Sequence, residues 1–226
     1  MSASRPAGGV SSAMYHYLGE MYRLGATDRI VAPTDLAEAL HVTPPAVARM
    51  VERMQQVGLV ERTPYKGVQL TGRGQRAALQ SLRYHRLSEA FLVTVMGYGW
   101  HEAHDMADAL AEIADEAFVE RMDSLAGHPT RCPHGEPIPT AEGVMPVVED
   151  QSLLELEAGF QGRISRVKVR DEAILIYLSE LAMVPGQPIE VVSRAPFRGP
   201  LRVRLGSHEQ VIGADLAGSI LVEGAS

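Results

Sequence analysis

Apolar residues in the first third of the chain recur at helical steps, with one short interruption. Between Thr34 and Gly58, Leu36, Ala37 and Leu40 give one helix an apolar face. Val47, Met50, Val51, Met54 and Val57 then give a second helix a buried stripe. His41–Val42–Thr43 separates the two. Thr43 reads as an N-cap, and Pro44 and Pro45 fall in the following first turn, where a missing N–H is tolerated. Ala46, Ala48, Arg49, Glu52 and Arg53 are left on the other face. After Gly58, Leu59–Arg62 and Val68–Thr71 read as strands joined by Thr63–Gly67, which predicts a β-hairpin. Two helices and a hairpin make a winged helix-turn-helix. Small residues at the front of its second helix and arginines facing outward suit entry into a DNA major groove. The plain alternative is a helical hairpin in a core, and the hairpin with its Gly-Arg-Gly exit weighs against it.

Elsewhere the same pattern predicts a helix over Ser12–Leu24 and a long one from about Gly74 to Met96, broken by Gly97–Tyr98–Gly99. Trp100–Leu125 reads as one further helix, whose Met106, Leu110, Ile113, Ala117 and Phe118 are expected to form a homodimer seam. Gly127–Pro146 holds five of the fourteen prolines and little periodicity, so it reads as a loop. Beyond it the period changes. Leu153–Phe160, Gly162–Val169, Ile189–Ser193, Leu201–Leu205 and Gln210–Ala214 read as short strands, with a helix over Ala173–Leu181. Strands at this spacing predict a small barrel. The fold class is α+β, with expected domains at 1–76, 77–150 and 151–226.

The length of 226 residues accommodates two or three domains. No segment reaches the apolar length needed to cross a bilayer, and the start, MSASRPAGGVSSA, lacks an apolar signal core. A cytoplasmic protein without membrane association is expected, and a single cysteine, Cys132, fits a reducing compartment. Net charge is −7, which on its face argues against a nucleic-acid partner. Its distribution removes the objection: residues 1–76 carry 9 basic against 6 acidic side chains, residues 77–150 carry 4 against 13, and residues 151–226 carry 8 against 9. Phosphate attraction acts locally, within roughly 8 Å at physiological salt.

The acidic middle is interleaved with histidines. His85 and Glu89 are spaced for one face of a helix, His104, Asp108 and Glu112 follow at four-residue steps, and His16 and Glu20 form a similar pair. Cys132 and His134 flank Pro133 in Arg-Cys-Pro-His-Gly. Any one pair is most simply an exposed hydrogen bond, but their convergence points to a cation. Mixed imidazole and carboxylate donors suit Mn²⁺ or Fe²⁺, and the lack of Cys-x-x-Cys argues against a zinc ribbon. Enzymatic signatures are missing: there is no phosphate loop, no Gly-x-Ser-x-Gly and no His-Glu-x-x-His. An enzyme is therefore not expected.

Taken in order, these features resemble the diphtheria-toxin-repressor family of iron- and manganese-dependent transcriptional regulators, and in particular its longer manganese-responsive members. The likeness rests on Tyr17–Leu18 and Tyr22, the winged helix, His-Arg-Leu-x-Glu at His85–Glu89, Cys-Pro-His-Gly followed by Ile138–Pro139, and the terminal barrel. The resemblance implies a homodimer on double-stranded operator DNA, a helical dimerisation domain, an SH3-like (FeoA-type) third domain and no small organic ligand. It assigns His85, Glu89 and His104 to one metal site, joined by Cys132, His134 and an acid of the third domain, Asp171 or Glu172. A second site would join His16 to Asp108 and Glu112; the family more often has Met or Asp at the first of these, and a His at the last. Asp108 stands where iron-selective members tend to have Cys, which leans towards Mn²⁺ over Fe²⁺, with Zn²⁺, Co²⁺ or Cd²⁺ as ions accepted in vitro. On DNA, Thr43, Pro44, Pro45 and Ala46 would face base edges, Arg49 a guanine, and Arg53 and Lys66 phosphates. A different expectation for the barrel is recruitment of a proline-rich partner, for which Tyr177 and Phe197 are the nearby aromatics.

Overall fold

The computed structural model describes residues 9–224, which contain eight helices and eight strands. Contacts divide them into two units, one comprising the described residues up to 85 with 109–122 and 139–145, the other 86–108, 123–138 and the described residues from 146 on. Helix α4 (Gly72–Thr94) and helix α5 (Ala103–Ile113) each run through the division.

In the first unit, helix α1 (Ser12–Arg23) starts at Ser11, whose hydroxyl accepts from Met14 N–H at 3.3 Å. Helix α2 (Pro33–Ala39) and helix α3 (Pro44–Gln56) are the predicted pair. The turn between them passes through His41 at φ 52°, after which Thr43 takes the N-cap position. The Thr43 side chain makes no capping hydrogen bond, contrary to its sequence reading. Two prolines at the start of α3 remove the N–H groups of N1 and N2, so the end leaves fewer donors to cap. Strands β1 (Val60–Thr63) and β2 (Gly67–Leu70) form the hairpin, and Val31 bridges to Val68 on its other edge. Leu18, Met21, Leu36, Val47, Met54 and Leu59 are fully enclosed beneath it.

Helix α4 begins where Thr71 Oγ1 accepts from Gly74 N–H at 3.0 Å and donates to Gly58 O at 2.8 Å. A Cβ on Gly74 would stand 1.9 Å from Leu59 O, so only glycine lets α4 leave the hairpin this closely.

The expected single helix over Trp100–Leu125 is two, α5 and α6 (Glu116–Leu125). Asp115 ends the first and starts the second: its Oδ1 accepts from Phe118 N–H at 2.8 Å, a capping bond that competes with helix continuation. Among the described residues no helix is long and apolar enough to cross a membrane.

The second unit contains a six-stranded antiparallel sheet in the order β3-β8-β4-β5-β6-β7. Its strands are β3 (Gln151–Ser152), β4 (Gln161–Val167), β5 (Pro188–Arg194), β6 (Leu201–Leu205), β7 (His208–Ile212) and β8 (Ile220–Gly224), with helices α7 (Glu172–Glu180) and α8 (Ala214–Gly218) between them. Two sequence expectations are corrected here. Leu153–Phe160 is no strand; Leu153–Glu155 is a 3-10 turn, because Leu153 anchors the core while Glu155 and Glu157 to Gly159 stay exposed. The unpredicted β8 sits inside the sheet between β3 and β4, and its apolar run Ile220–Val222 is buried throughout. A fully buried short run carries no alternation to signal a strand.

Substituting Gly74→Ala is expected to lower stability by about 1–3 kcal/mol, as overpacking does, although alanine is the better helix former. Urea unfolding of both proteins checks this; an unchanged or raised midpoint would show that the helix start gives way freely.

Candidate metal centre

His85 and Glu89 lie one turn apart on α4, at 6% and 3% exposure. Glu89 is the hub. Its Oε1 is 3.1 Å from His104 Nδ1 on α5 and 3.4 Å from His134 Nδ1. His104 Nε2 in turn stands 3.9 Å from Asp108 Oδ2 on the next turn of α5.

Cys132 and His134 arrive on a tight turn. Gly135 N–H donates to Cys132 O at 2.8 Å, with Pro133 at the second position, where its fixed φ suits a β-turn. Cys132 N–H donates to Glu136 O at 2.9 Å, and Arg131 pairs with Pro137, so residues 131–137 form a miniature hairpin. The turn sets Cys132 Sγ and His134 Nδ1 4.0 Å apart.

Two donor groups result: His85, Glu89 and His104, and Glu89, Cys132 and His134, each with ligand atoms within 4.8 Å of one another. Glu89 is common to both. His134 Nε2 is buried and has no hydrogen-bond partner among the described residues, an arrangement costly for an imidazole unless something else takes that nitrogen. Burial pushes the Cys132 thiol well up, the Glu89 charge and hydrogen bond push it further, and Arg86 and the His134 backbone oppose them. Three imidazoles, a carboxylate and a thiol fit a first-row divalent cation.

The two donor groups do not include the other expected ligands. His16 is exposed on α1, and Glu20, buried on the same helix, pairs with Arg23. The Glu112 side chain lies outside the described residues. Asp171 caps α7, its Oδ1 accepting from Ile174 N–H at 3.0 Å. On the winged helix, Thr43, Pro44, Pro45, Arg49, Arg53 and Lys66 are exposed and Ala46 half-buried. Tyr65, at the hairpin tip with φ 62°, is fully exposed.

Sequence reasoning missed the residues that surround the donors. Arg86, only 4% exposed, donates to Pro137 O and, at 3.0 Å, to Glu136 Oε2. Arg166 binds Asp150 through Nε at 2.7 Å and Nη2 at 2.8 Å, and reaches Glu136 at 3.4 Å. Trp100 stacks 5.4 Å from His134 and donates to Ser179 Oγ at 2.6 Å. Arg86 follows His85 directly and was the one detectable signal, a charge in a stretch otherwise spaced for burial.

Three family profiles match the chain in sequence: "Iron dependent repressor, N-terminal DNA binding domain" over residues 10–68, "Iron dependent repressor, metal binding and dimerisation domain" over 71–140, and "FeoA domain" over 151–224. The iron-dependent repressor IdeR of Mycobacterium leprae is 31% identical over 178 residues, 79% of this chain and 69% of that protein. The diphtheria toxin repressor of Corynebacterium efficiens is 28% identical over 188 residues, 80% of this chain and 77% of that protein. Among solved structures, a manganese-dependent transcriptional repressor in complex with manganese superposes with TM-score 0.87 at 30% identity, covering 94% of this chain and 100% of that one. ScaR with bound Zn²⁺ superposes with TM-score 0.79 at 29% identity, covering 94% and 99%.

Asp150 yields a pH prediction. Burial alone would raise its pKa, but hydrogen bonds from Arg166 and Ser165 and the Arg166 charge hold it below the usual aspartate value. A depressed folded pKa stabilises above the unfolded value of about 3.9 and loses that contribution as pH falls through the folded one. Asp150→Asn should therefore cost about 1.5–3 kcal/mol at neutral pH, the range for hydrogen bonds to charged groups. The gap to the parent should close in acid. Denaturation midpoints measured from pH 7 downward test it, and a gap independent of pH would refute the assignment.

Proposed function

Because the chain belongs to the diphtheria-toxin-repressor family of metal-responsive, DNA-binding transcriptional regulators, we propose that it is a homodimeric, Mn²⁺-responsive regulator of metal-homeostasis genes. Fe²⁺ is the alternative ion. The observation that carries this reading is the buried pair of donor groups sharing Glu89, in a chain with an exposed winged helix. The protein acts without catalysing a reaction, in the cytoplasm where its DNA is. Its modules are taken as residues 1–76 for DNA, 77–150 for metal and dimerisation, and 151–226 for the SH3-like domain.

In this reading His85, Glu89, His104, Cys132 and His134 hold the ion, and His16, Asp108 and Glu112 are candidates for a second one. Once held, the ion supplies positive charge where Glu89 is buried. The donors come from α4, from α5 and from the 131–137 loop, so gathering them removes freedom between segments that are distant in sequence. Metal acts by population shift: the arrangement with its donors gathered is favoured only as far as it binds the ion more tightly than other arrangements do. Imidazole and carboxylate donors support Mn²⁺ or Fe²⁺, and Asp108, an oxygen donor beside His104, favours Mn²⁺. Ile113, 79% exposed, and Phe118, 45% exposed, support the homodimer as apolar side chains open to a second copy. On DNA, Thr43, Pro44, Pro45 and Ala46 approach bases, Arg49 reads guanine, and Arg53 and Lys66 hold phosphates.

Fluorescence anisotropy on promoter DNA of metal-transport genes tests the switch. Mn²⁺ should tighten binding and chelator reverse it, and Glu89→Gln should reduce the Mn²⁺ response roughly tenfold or more, the scale for disturbed metal sites. Indifference to chelator would defeat the regulator reading. Arg49→Ala should cost about 1–3 kcal/mol on cognate DNA and less on random duplex; equal losses would remove Arg49 from base reading.

A further inference from the structure

Strand β4 carries an irregularity at the point where the ligand turn meets it. Ile164 pairs with Val222 and Arg166 with Leu221, so Ser165 is an extra residue between consecutive partners. The strand is also unevenly covered. Its pairing with β5 spans only Gln161–Arg163, whereas β8 follows it to Val167. The far half of β4 therefore presents one edge that no strand fills, and edges of this kind must be satisfied by something.

The ligand turn satisfies it. Val167 N–H donates to His134 O at 2.9 Å, and Arg131 Nη1 donates to Ser165 Oγ at 2.7 Å. Gly135, at φ 83°, lies so close that a Cβ would stand 2.0 Å from Ser165 O. Ser165 Oγ donates onward to Asp150 at 2.9 Å, the carboxylate that grips Arg166. Arg166 then reaches Glu136 Oε2, the oxygen that Arg86 of α4 also holds. Arg131, His134, Gly135 and Glu136 of the turn are thus held by the barrel or by α4, through atoms that are not donors themselves.

We propose that the barrel sets the donor geometry of the metal centre by position, with Arg166 as the positioning residue. Through Glu136 and Asp150 it locks the 131–137 turn against the Ser165 bulge, and so determines whether Cys132 and His134 stand beside Glu89. This rests on the reading of Cys132 and His134 as ligands. A barrel acting this way governs metal affinity through residues that are not ligands.

The test uses the full chain titrated with Co²⁺, whose thiolate charge-transfer absorption reports ligation by Cys132, with Mn²⁺ affinity measured in parallel. Arg166→Met should weaken Co²⁺ and Mn²⁺ binding roughly 10–100-fold, the effect of losing an orienting partner, and should diminish the thiolate band of the loaded protein. Arg166→Lys, which keeps the charge but not the two-pronged grip, should recover only part of both. Glu136→Gln preserves shape and tests the same link if Arg166→Met folds poorly; it too should lose band and affinity. A role in stability alone would lower the melting temperature and leave the band of the loaded protein intact. Unchanged band and affinity in Arg166→Met and Glu136→Gln would overturn the proposal while leaving the ligand reading standing. No thiolate band in the parent protein would overturn the ligand reading and the proposal together.

Discussion

A carboxylate buried to 3% exposure among two imidazoles and a thiol is the constraint on which the candidate metal centre depends. Taking an ionised carboxylate out of water costs several kcal/mol even after relaxation. Glu89 meets that cost only through what surrounds it. The Cys132 thiol, held neutral by burial and by Glu89, donates only a weak S–H hydrogen bond to the carboxylate. Imidazoles help when protonated, but two protonated imidazoles around one carboxylate oxygen repel each other. A divalent cation resolves the conflict, because imidazoles ligate as neutral bases and the carboxylate keeps its charge.

That constraint explains the distribution of charge. The acidic excess lies in residues 77–150, which contain all the candidate donors except His16, Glu20, Asp171 and Glu172. A uniformly acidic protein would be repelled by DNA, yet residues 1–76 are mildly basic, and screening keeps the two fields separate beyond about 8 Å. One chain can therefore collect cations in one region and meet phosphate in another. The exposed Arg49, Arg53 and Lys66 belong to the basic region.

Much of this was legible in the residues. The helix pair, the hairpin and the long α4 follow from periodicity, because one face of each is buried and the other is not. The His85/Glu89 spacing and the Cys-Pro-His-Gly turn were visible because a helix repeat and a proline turn are local devices. What escaped was non-local or two-sided. The break at Asp115 depends on one side chain preferring a cap over helix interior. Strand β8 is buried all along its apolar run and so lacks alternation. Arg131, Asp150 and Arg166 look like ordinary surface charges until the sheet register brings them together around one turn.

The register itself explains why a barrel should matter to a metal centre to which it lends no member of the two donor groups. A turn of seven residues has too few internal contacts to hold two side chains to the tolerance a coordination shell requires; among the described residues, two backbone hydrogen bonds, the Cys132 Sγ–His134 Nδ1 contact and one bridge lie within it. It must borrow rigidity. A sheet edge is the stiffest neighbour available, and β4 supplies one where β5 departs and the bulge turns Ser165 towards the turn. Gly135 permits the approach and Arg131 secures it, while Arg166 and Arg86 share Glu136 Oε2. The carboxylate of Glu136 then has a reason to be where it is: without it, the two guanidinium groups that bond it would lack their shared counter-charge beside the candidate metal centre.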